Sequence, residues 1–311
     1  MNQTLKDSDE IKMQSCLRKT LDPIYNPLRI YTTGAIVSVI FWTGLPIVGI
    51  MEKDKFSYVD YRVPIYLPEA PFSRIPFACG VLFEMIGSGF TIAKKTGIDV
   101  YMMHMITLLT SEYRYISAEL ENIFGQNRTT EEADHEINIK KIVEENENKE
   151  RIHNQETIRN NLKRLIQHHG VVTQAGQMLK SLLSLNVAVT YCNCIFRFCF
   201  LAFMMLTIPS TYFDKCLLAI YTSGSLIQVY MLCFSVQALL EASTSITDEA
   251  FYKQWYNCDL WSQRTFAKIM ISKKFECRLT AFGTIDLTIK TFTMILRQSY
   301  SACLFLLKLN S

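Results

Sequence analysis

The chain has 311 residues, of which 49% are hydrophobic and 20% charged, and its net charge is +3 at neutral pH. Soluble domains usually carry about a quarter charged residues, so this composition is typical of a membrane protein. The mild net charge, without an arginine-rich patch that alternates with aromatic residues, argues against a nucleic-acid partner. The ten cysteines form no C-x-x-C pair, and this argues against a disulfide framework or a zinc site.

Five apolar stretches predict an all-α fold, a polytopic transmembrane helix bundle. A hydrocarbon core of about 30 Å needs about 20 residues of helix. Two runs lack any charged residue, 30–51 with 22 residues and 216–240 with 25. In chain order, the predicted spans are 28–51, 75–93, 182–208, 216–240 and 285–307. Residues 1–27 form an N-terminal segment without the apolar core of a signal peptide, and 28–311 form the transmembrane domain.

The distribution of basic residues predicts the direction of the spans. Lys and Arg number 21 in the segment up to Arg29 together with the long loops 111–181 and 241–284, against six on the opposite side. By the positive-inside rule, the N-terminus and both loops face the cytosol and the C-terminus faces outward. The apolar segment 99–110 is too short to cross a bilayer, so we interpret it as a continuation of the second helix beyond the membrane.

Charged residues inside the predicted spans need polar partners or water, because each is costly in hydrocarbon. Glu84 is the only acid in the second span and Arg197 the only base in the third. For both we expect a partner on a neighbouring helix, and contact with a ligand or an ion is the alternative. In the last span, Asp286 and Lys290 are four residues apart and can pair along one helix face.

The last 60 residues carry a recognisable set of motifs. They are F-Y-K-Q-W-Y at 251–256, L-T-A at 279–281, T-F-x-x-I-L-R-x-S-Y-S at 291–301 and L-L at 306–307. In combination these motifs resemble the C-terminal signature of insect odorant receptors, and the likeness extends from Pro27 to the end of the chain. Many members have proline where this chain has Glu276 and glycine where it has Phe282. We therefore expect a differently shaped turn before the last span.

The resemblance implies a subunit of a tetrameric, odorant-gated, nonselective cation channel that assembles with an odorant co-receptor. Family members have seven transmembrane helices and a cytosolic N-terminus. This chain shows five spans and, aligned from its C-terminus, resembles a receptor without the first two. An even number of missing spans agrees with the orientation predicted by the basic residues. The implied location is the plasma membrane of olfactory sensory neurons, with several passes and an extracellular C-terminus.

The resemblance also places pore and subunit contacts at particular residues. The last span would line the pore, and the family's apolar constriction matches Cys303 and Leu307, which lie on one helix face. A central ring of four arginines would repel cations, so Arg297 is expected at a subunit contact or a wide vestibule. Tyr252 and Trp255 precede this span, where the family holds its subunits together. Ordinary packing is the alternative role for each of these residues.

The resemblance implies a ligand pocket in the outer halves of the first, second and fourth spans. Small volatile apolar molecules suit an aromatic cavity with few polar groups. The candidate ligand-binding residues are Phe41, Trp42, Phe77, Phe83 and Tyr221. Each of these residues alone is equally compatible with packing in the core.

Other functions remain open at this point. A gustatory receptor of the same superfamily usually ends in a T-Y…Q-F pattern, where this chain has Thr291-Phe292. A G-protein-coupled receptor would need seven spans and an outward N-terminus. No G-x-S-x-G, H-E-x-x-H, P-loop or G-x-G-x-x-G motif supports an enzyme. His168 and His169 lack further ligands, so we predict no metal or other cofactor. The expected partners are the odorant co-receptor, a small volatile apolar ligand and the lipid bilayer, with no nucleic acid.

Overall fold

The computed structural model describes residues 2–52, 55–58, 61, 71–134, 143–207, 212–252, 260–271 and 277–310. In these ranges the chain forms six helices and one hairpin. They are α1 (Asn2–Glu52), α2 (Arg74–Asp134), α3 (Val143–Thr207), α4 (Tyr212–Tyr252), α5 (Leu260–Ile271), β1 (Thr280–Ala281), β2 (Ile285–Asp286) and α6 (Ile289–Asn310). The predicted all-α helical bundle is confirmed.

Several helices are much longer than a bilayer is thick. Within the described residues, three segments are long and apolar enough to cross a membrane, and they are Arg74–Ile123, Glu156–Thr207 and Lys215–Ile246. The first predicted span lies in α1, and residues 289–307 of the last predicted span lie in α6. At about 1.5 Å per residue, the 65 residues of α3 extend roughly three times the thickness of the hydrocarbon core. Residues 99–110 continue α2 without interruption, as the sequence predicts.

The chain divides into two compact units, and the long helices contribute to both. The first unit contains Met1–Asp22, Met105–Ile195 and Cys233–Arg297. The second unit contains Pro23–His104, Phe196–Leu232 and Gln298–Ser311.

In the first unit, the segment before the β-hairpin packs against α2, α3 and α4. The backbone amide of Cys277 donates to Oγ of Ser243 in α4 at 3.2 Å. Gly176 of α3 allows a close approach, because an added Cβ would lie 3.2 Å from Sγ of Cys277 and 3.3 Å from Oη of Tyr113 in α2. Burial raises the pKa of the Cys277 thiol to about 11. The thiol is therefore a neutral packing group at physiological pH.

The last helix begins at Ile289, four residues after the start of the predicted span, because a hairpin precedes it. Phe282 and Gly283 at its turn have φ of 54° and 73°, and positive φ at both central residues marks a type I′ turn. Asp286 is in β2, where Oδ2 accepts a hydrogen bond from Nη1 of Arg278 at 3.3 Å. The expected helical pairing of Asp286 with Lys290 is therefore wrong.

In the second unit, aromatic side chains pack at the start of α2. The rings of Phe56 and Phe77 are stacked with their centroids 4.0 Å apart. Phe56 and Phe72 exchange backbone hydrogen bonds of 3.1 and 2.8 Å. A Cβ at Gly80 would overlap the Tyr61 hydroxyl, so only glycine allows this approach. Burial raises the pKa of Tyr61, and the nearby carboxylate of Glu84 in α2 raises it further. The cluster fixes the loop segment to α2.

Candidate functional site

A cavity of about 540 Å³ lies between α1 and α2 in the second unit and is open on one side, where Ile36 and Ile40 are 59% and 57% exposed. Its wall is apolar apart from two threonines. The lining consists of Thr32, Ile36, Val39 and Ile40 from α1 and Met85, Gly89, Ile92, Ala93, Thr96, Gly97 and Val100 from α2. Spacings of three and four residues place each set on one face of its helix. An added Cβ at Gly89 or Gly97 would meet no atom within 4 Å, so these glycines leave open space. Such a cavity suits a small apolar molecule.

Polar side chains from four helices form a network in the same unit. The hydroxyl of Tyr31 in α1 donates to Oδ2 of Asp99 in α2 at 2.9 Å. The side-chain amide of Gln228 in α4 donates to the same oxygen. Oε1 of Gln228 accepts hydrogen bonds of 3.3 Å from Lys95 of α2 and from Arg197 of α3. One phenol, one carboxylate, two cations and a neutral amide therefore join α1, α2, α3 and α4.

The network and the cavity meet at Thr96, which lines the cavity and hydrogen-bonds to Tyr31. Thr32, the other polar lining residue, directly follows Tyr31 in α1. Thr96 precedes Asp99 by one turn of α2, and Tyr31 and Asp99 are in contact. Both threonines therefore lie at the end of the cavity that adjoins the network.

None of the predicted ligand-binding residues is in the lining of the cavity between α1 and α2. Phe77 is 1% exposed in the aromatic cluster at the start of α2. Phe41, Phe83 and Tyr221 are exposed at 58%, 76% and 42%. The side chain of Trp42 is outside the described residues, as are Trp255 and the side chain of Tyr252. The subunit-contact role of the last two stays a prediction.

Cys303 and Leu307, the residues predicted for the pore constriction, lie on one stripe of α6, and Arg297 lies on another face. Cys303 is 3% exposed and continues a buried stripe through Ile295 and Ser299 at intervals of four residues. Leu307, the next position of that stripe, is half-buried, and Arg297 is exposed. Of the two residues matched to the constriction, Leu307 therefore retains more accessible surface.

The network contains residues that sequence reasoning missed. The partner expected for Arg197 on a neighbouring helix is confirmed, and it is Gln228. Gln228 could have been noticed as an amide inside a run free of charges. Tyr31 and Asp99 gave no comparable signal, because a helix's own sequence does not show which polar residues of other helices lie at the same level.

The histidines of α3 have polar and aromatic neighbours in the first unit. Nε2 of His168 lies 3.1 Å from Oε2 of Glu112 in α2. The ring of His169 packs edge-on against Tyr113 with a centroid distance of 6.4 Å. Among the described residues, no group of three or more His, Cys, Asp and Glu side chains is arranged to hold a metal ion.

Comparison with known sequences gives one consistent family. Residues 3–300 match the family model described as 7tm Odorant receptor. Odorant receptor 13a of Drosophila melanogaster is 23% identical over 279 residues, which cover 85% of this chain and 61% of the relative. Odorant receptor 67c of the same species is 25% identical over 205 residues, or 65% of this chain and 43% of the relative. The chain therefore spans less than two thirds of the length of these curated relatives.

Comparison with solved structures shows the same fold at low sequence identity. The insect olfactory receptor OR5 from Machilis hrabei is 10% identical, with a TM-score of 0.72 over 96% of this chain and 70% of that chain. The same receptor in complex with eugenol gives a TM-score of 0.74 with equal coverage.

Proposed function

The chain belongs to the 7tm odorant receptor family, and on this premise we propose that it is a receptor subunit that binds a small, mostly apolar volatile molecule between α1 and α2. The observation that carries the proposal is the cavity of about 540 Å³, which adjoins a polar network of four helices. A ligand in contact with both α1 and α2 changes the surroundings of that network. The protein is a receptor and not an enzyme.

The cavity extends from the level of the polar network to about the middle of the first and second predicted spans, so the proposed ligand site begins in their inner halves and continues toward the outer half of the bundle. Arg197 and Gln228 lie near the middle of the predicted third and fourth spans, and they are in one network with Asp99. From this level the cavity extends along α1 to Ile40 and along α2 to Met85. In the orientation predicted by the basic residues, this direction is outward.

The predicted aromatic residues extend the proposed site. Phe41 and Trp42 directly follow a lining residue of α1, and Phe83 lies two residues before a lining residue of α2. A ligand longer than the cavity would reach their level. We therefore keep Phe41, Trp42 and Phe83 as proposed contacts at the outer limit of the site, whereas Phe77 and Tyr221 stay predictions from the sequence.

The second part of the proposal concerns assembly and conduction. We propose that the chain assembles with an odorant co-receptor in the plasma membrane of olfactory sensory neurons, with its N-terminus in the cytosol. In this assembly α6 lines a nonselective cation pore. The support is a helix with one buried stripe and one exposed face, on which Arg297 and Leu304 lie. An exposed face with both charged and apolar residues suits a boundary between protein and water.

Filling the cavity tests the ligand site. The change Gly89→Leu places a side chain in space that the glycine leaves open. In cells that express the chain with an odorant co-receptor, we expect the half-maximal odorant concentration to rise about tenfold or more, because the ligand loses its volume. The measurement is the odorant-evoked current, normalised to the amount of receptor at the cell surface.

Gly87→Leu is the matched control. Gly87 also has no atom within 4 Å of an added Cβ, and it lies outside the cavity lining on the other face of α2. Its replacement should leave the odorant response unchanged. Equal effects of the two substitutions, or a normal response in Gly89→Leu, would contradict the proposed site.

A further inference from the structure

Thr32 and Thr96 are the two polar residues that line the cavity. The hydroxyl group of each already donates its proton to another group of the protein. Oγ1 of Thr32 donates to the backbone oxygen of Arg29 at 2.9 Å. Tyr31 donates its only hydroxyl proton to Asp99, so Thr96 must be the donor in the hydrogen bond between Thr96 and Tyr31. Each threonine hydroxyl has one proton and two lone pairs. Both groups can therefore accept a hydrogen bond from a ligand, and neither can donate one.

The negative charge of Asp99 fixes the direction in which these hydroxyl groups donate. Its Oδ2 accepts hydrogen bonds from Tyr31 and from Gln228, and a carboxylate holds such donors more strongly than a neutral oxygen does. Hydrogen bonds in a chain polarise one another, so a hydroxyl that donates toward an anion becomes a better acceptor. The oxygen of Thr96 is the open end of such a chain, in which Thr96 donates to Tyr31 and Tyr31 donates to Asp99.

We propose that the cavity selects hydrogen-bond donors, and that it binds an alcohol or phenol with an apolar body more tightly than the corresponding aldehyde, ketone or ester. The ligand hydroxyl donates to Thr96 or Thr32, while its body lies against Ile36, Ile92 and Val100. An aldehyde, ketone or ester can only accept hydrogen bonds. This end of the cavity also offers only acceptors, so no hydrogen bond forms. The inference rests on the proposed ligand site and adds the class of ligand.

Direct binding to the full chain in lipid nanodiscs tests this selectivity. Tritium-labelled 1-octanol is bound to the immobilised protein, and unlabelled 1-octanol, octanal and octane compete with it. We expect 1-octanol to compete at about three- to tenfold lower concentration than octanal, the range that one net hydrogen bond gives. Thr96→Val and Thr32→Val remove the acceptors one at a time. At least one of them should lower the ratio of the octanal to the 1-octanol competing concentration toward one, with little change in the competing concentration of octanal.

Thr91→Val is the matched control. Thr91 is on α2 and donates to the backbone oxygen of Gly87 at 2.9 Å, as a helical threonine does, but it lies outside the cavity lining. Thr91→Val should leave the ratio of the octanal to the 1-octanol competing concentration unchanged. Tyr31→Phe gives an independent test, because it removes the acceptor of the Thr96 proton and frees that proton for a ligand. We expect octanal to bind more tightly to Tyr31→Phe than to the parent chain.

The outcomes separate this inference from the ligand site. Equal competition by 1-octanol and octanal in the parent chain, or a ratio unchanged by both threonine substitutions, overturns the donor selectivity. If the donor selectivity is overturned but Gly89→Leu still removes the binding of 1-octanol, the proposed ligand site remains supported. Binding that Gly89→Leu does not reduce overturns the site and the selectivity together.

Discussion

Phe282 holds a backbone conformation that L-residues other than glycine rarely adopt. With φ of 54°, it costs about 1–2 kcal/mol relative to a residue with negative φ. Its side chain is 61% exposed, so packing offsets little of this cost. The turn holds Leu279 and Leu287 in the core of the first unit, where each side chain is 1% exposed. The sequence predicts a differently shaped turn here because phenylalanine replaces the usual glycine, yet the chain turns in a conformation that glycine favours.

Replacing this phenylalanine should therefore stabilise the fold. We expect Phe282→Gly to raise the free energy of unfolding by about 1 kcal/mol, because relief of the strained φ outweighs the flexibility that glycine adds to the unfolded chain. The measurement is thermal unfolding of the detergent-solubilised chain. Gly283→Ala, at φ of 73° in the same turn, should destabilise by a similar amount. A lower melting temperature for Phe282→Gly would show that the strain is not significant.

At the scale of elements, apolar runs predict the helices well and their contacts poorly. The charge-free runs 30–51 and 216–240 lie within α1 and α4. The start of α6 could not be predicted from periodicity, because Asp286 is held by Arg278, a residue on the other side of a turn. The cavity between α1 and α2 was also not predictable. Its lining residues fit an ordinary amphipathic pattern, and only the structure shows that glycines leave space between the helices.

The two faces of α6 give a test of the proposed pore. Cys303 is 3% exposed, whereas Leu304 is 47% exposed on the adjacent face. We expect Leu304→Cys to react with a charged methanethiosulfonate reagent from outside and to change the current, because a pore-lining side chain meets water. The parent chain, whose Cys303 is buried, should be insensitive at this helix. The measurement is current through the chain expressed with an odorant co-receptor, before and after the reagent.

The control is the same substitution on the buried stripe. Ser299→Cys lies one turn before Cys303 at a position that is 4% exposed, so it should stay unreactive. Equal reactivity at both positions would exclude a pore along this face. Reaction of the parent Cys303 would instead support the predicted constriction at Cys303 and Leu307.

At the scale of the molecule, the polar network supplies what apolar packing in a bilayer does not, namely directional contacts between particular helices. Lipid chains are as apolar as leucine, so hydrophobic burial alone distinguishes weakly between helix partners inside a membrane. Gln228 is central because its amide reaches Asp99 on one side and both Lys95 and Arg197 on the other. A single neutral side chain thus mediates between one negative and two positive charges within the second unit.

Removal of this mediator should destabilise the protein strongly. We expect Gln228→Leu to lower the free energy of unfolding by about 2–4 kcal/mol, because three half-buried charged groups lose a shared partner and the leucine cannot replace its hydrogen bonds. Gln237→Leu, on the same helix but bonded to Glu241 within α4 at 2.8 Å, should cost about 0.5 kcal/mol or less. Thermal unfolding of both variants in one detergent measures the difference. Equal stability would mean that packing alone selects the helix partners.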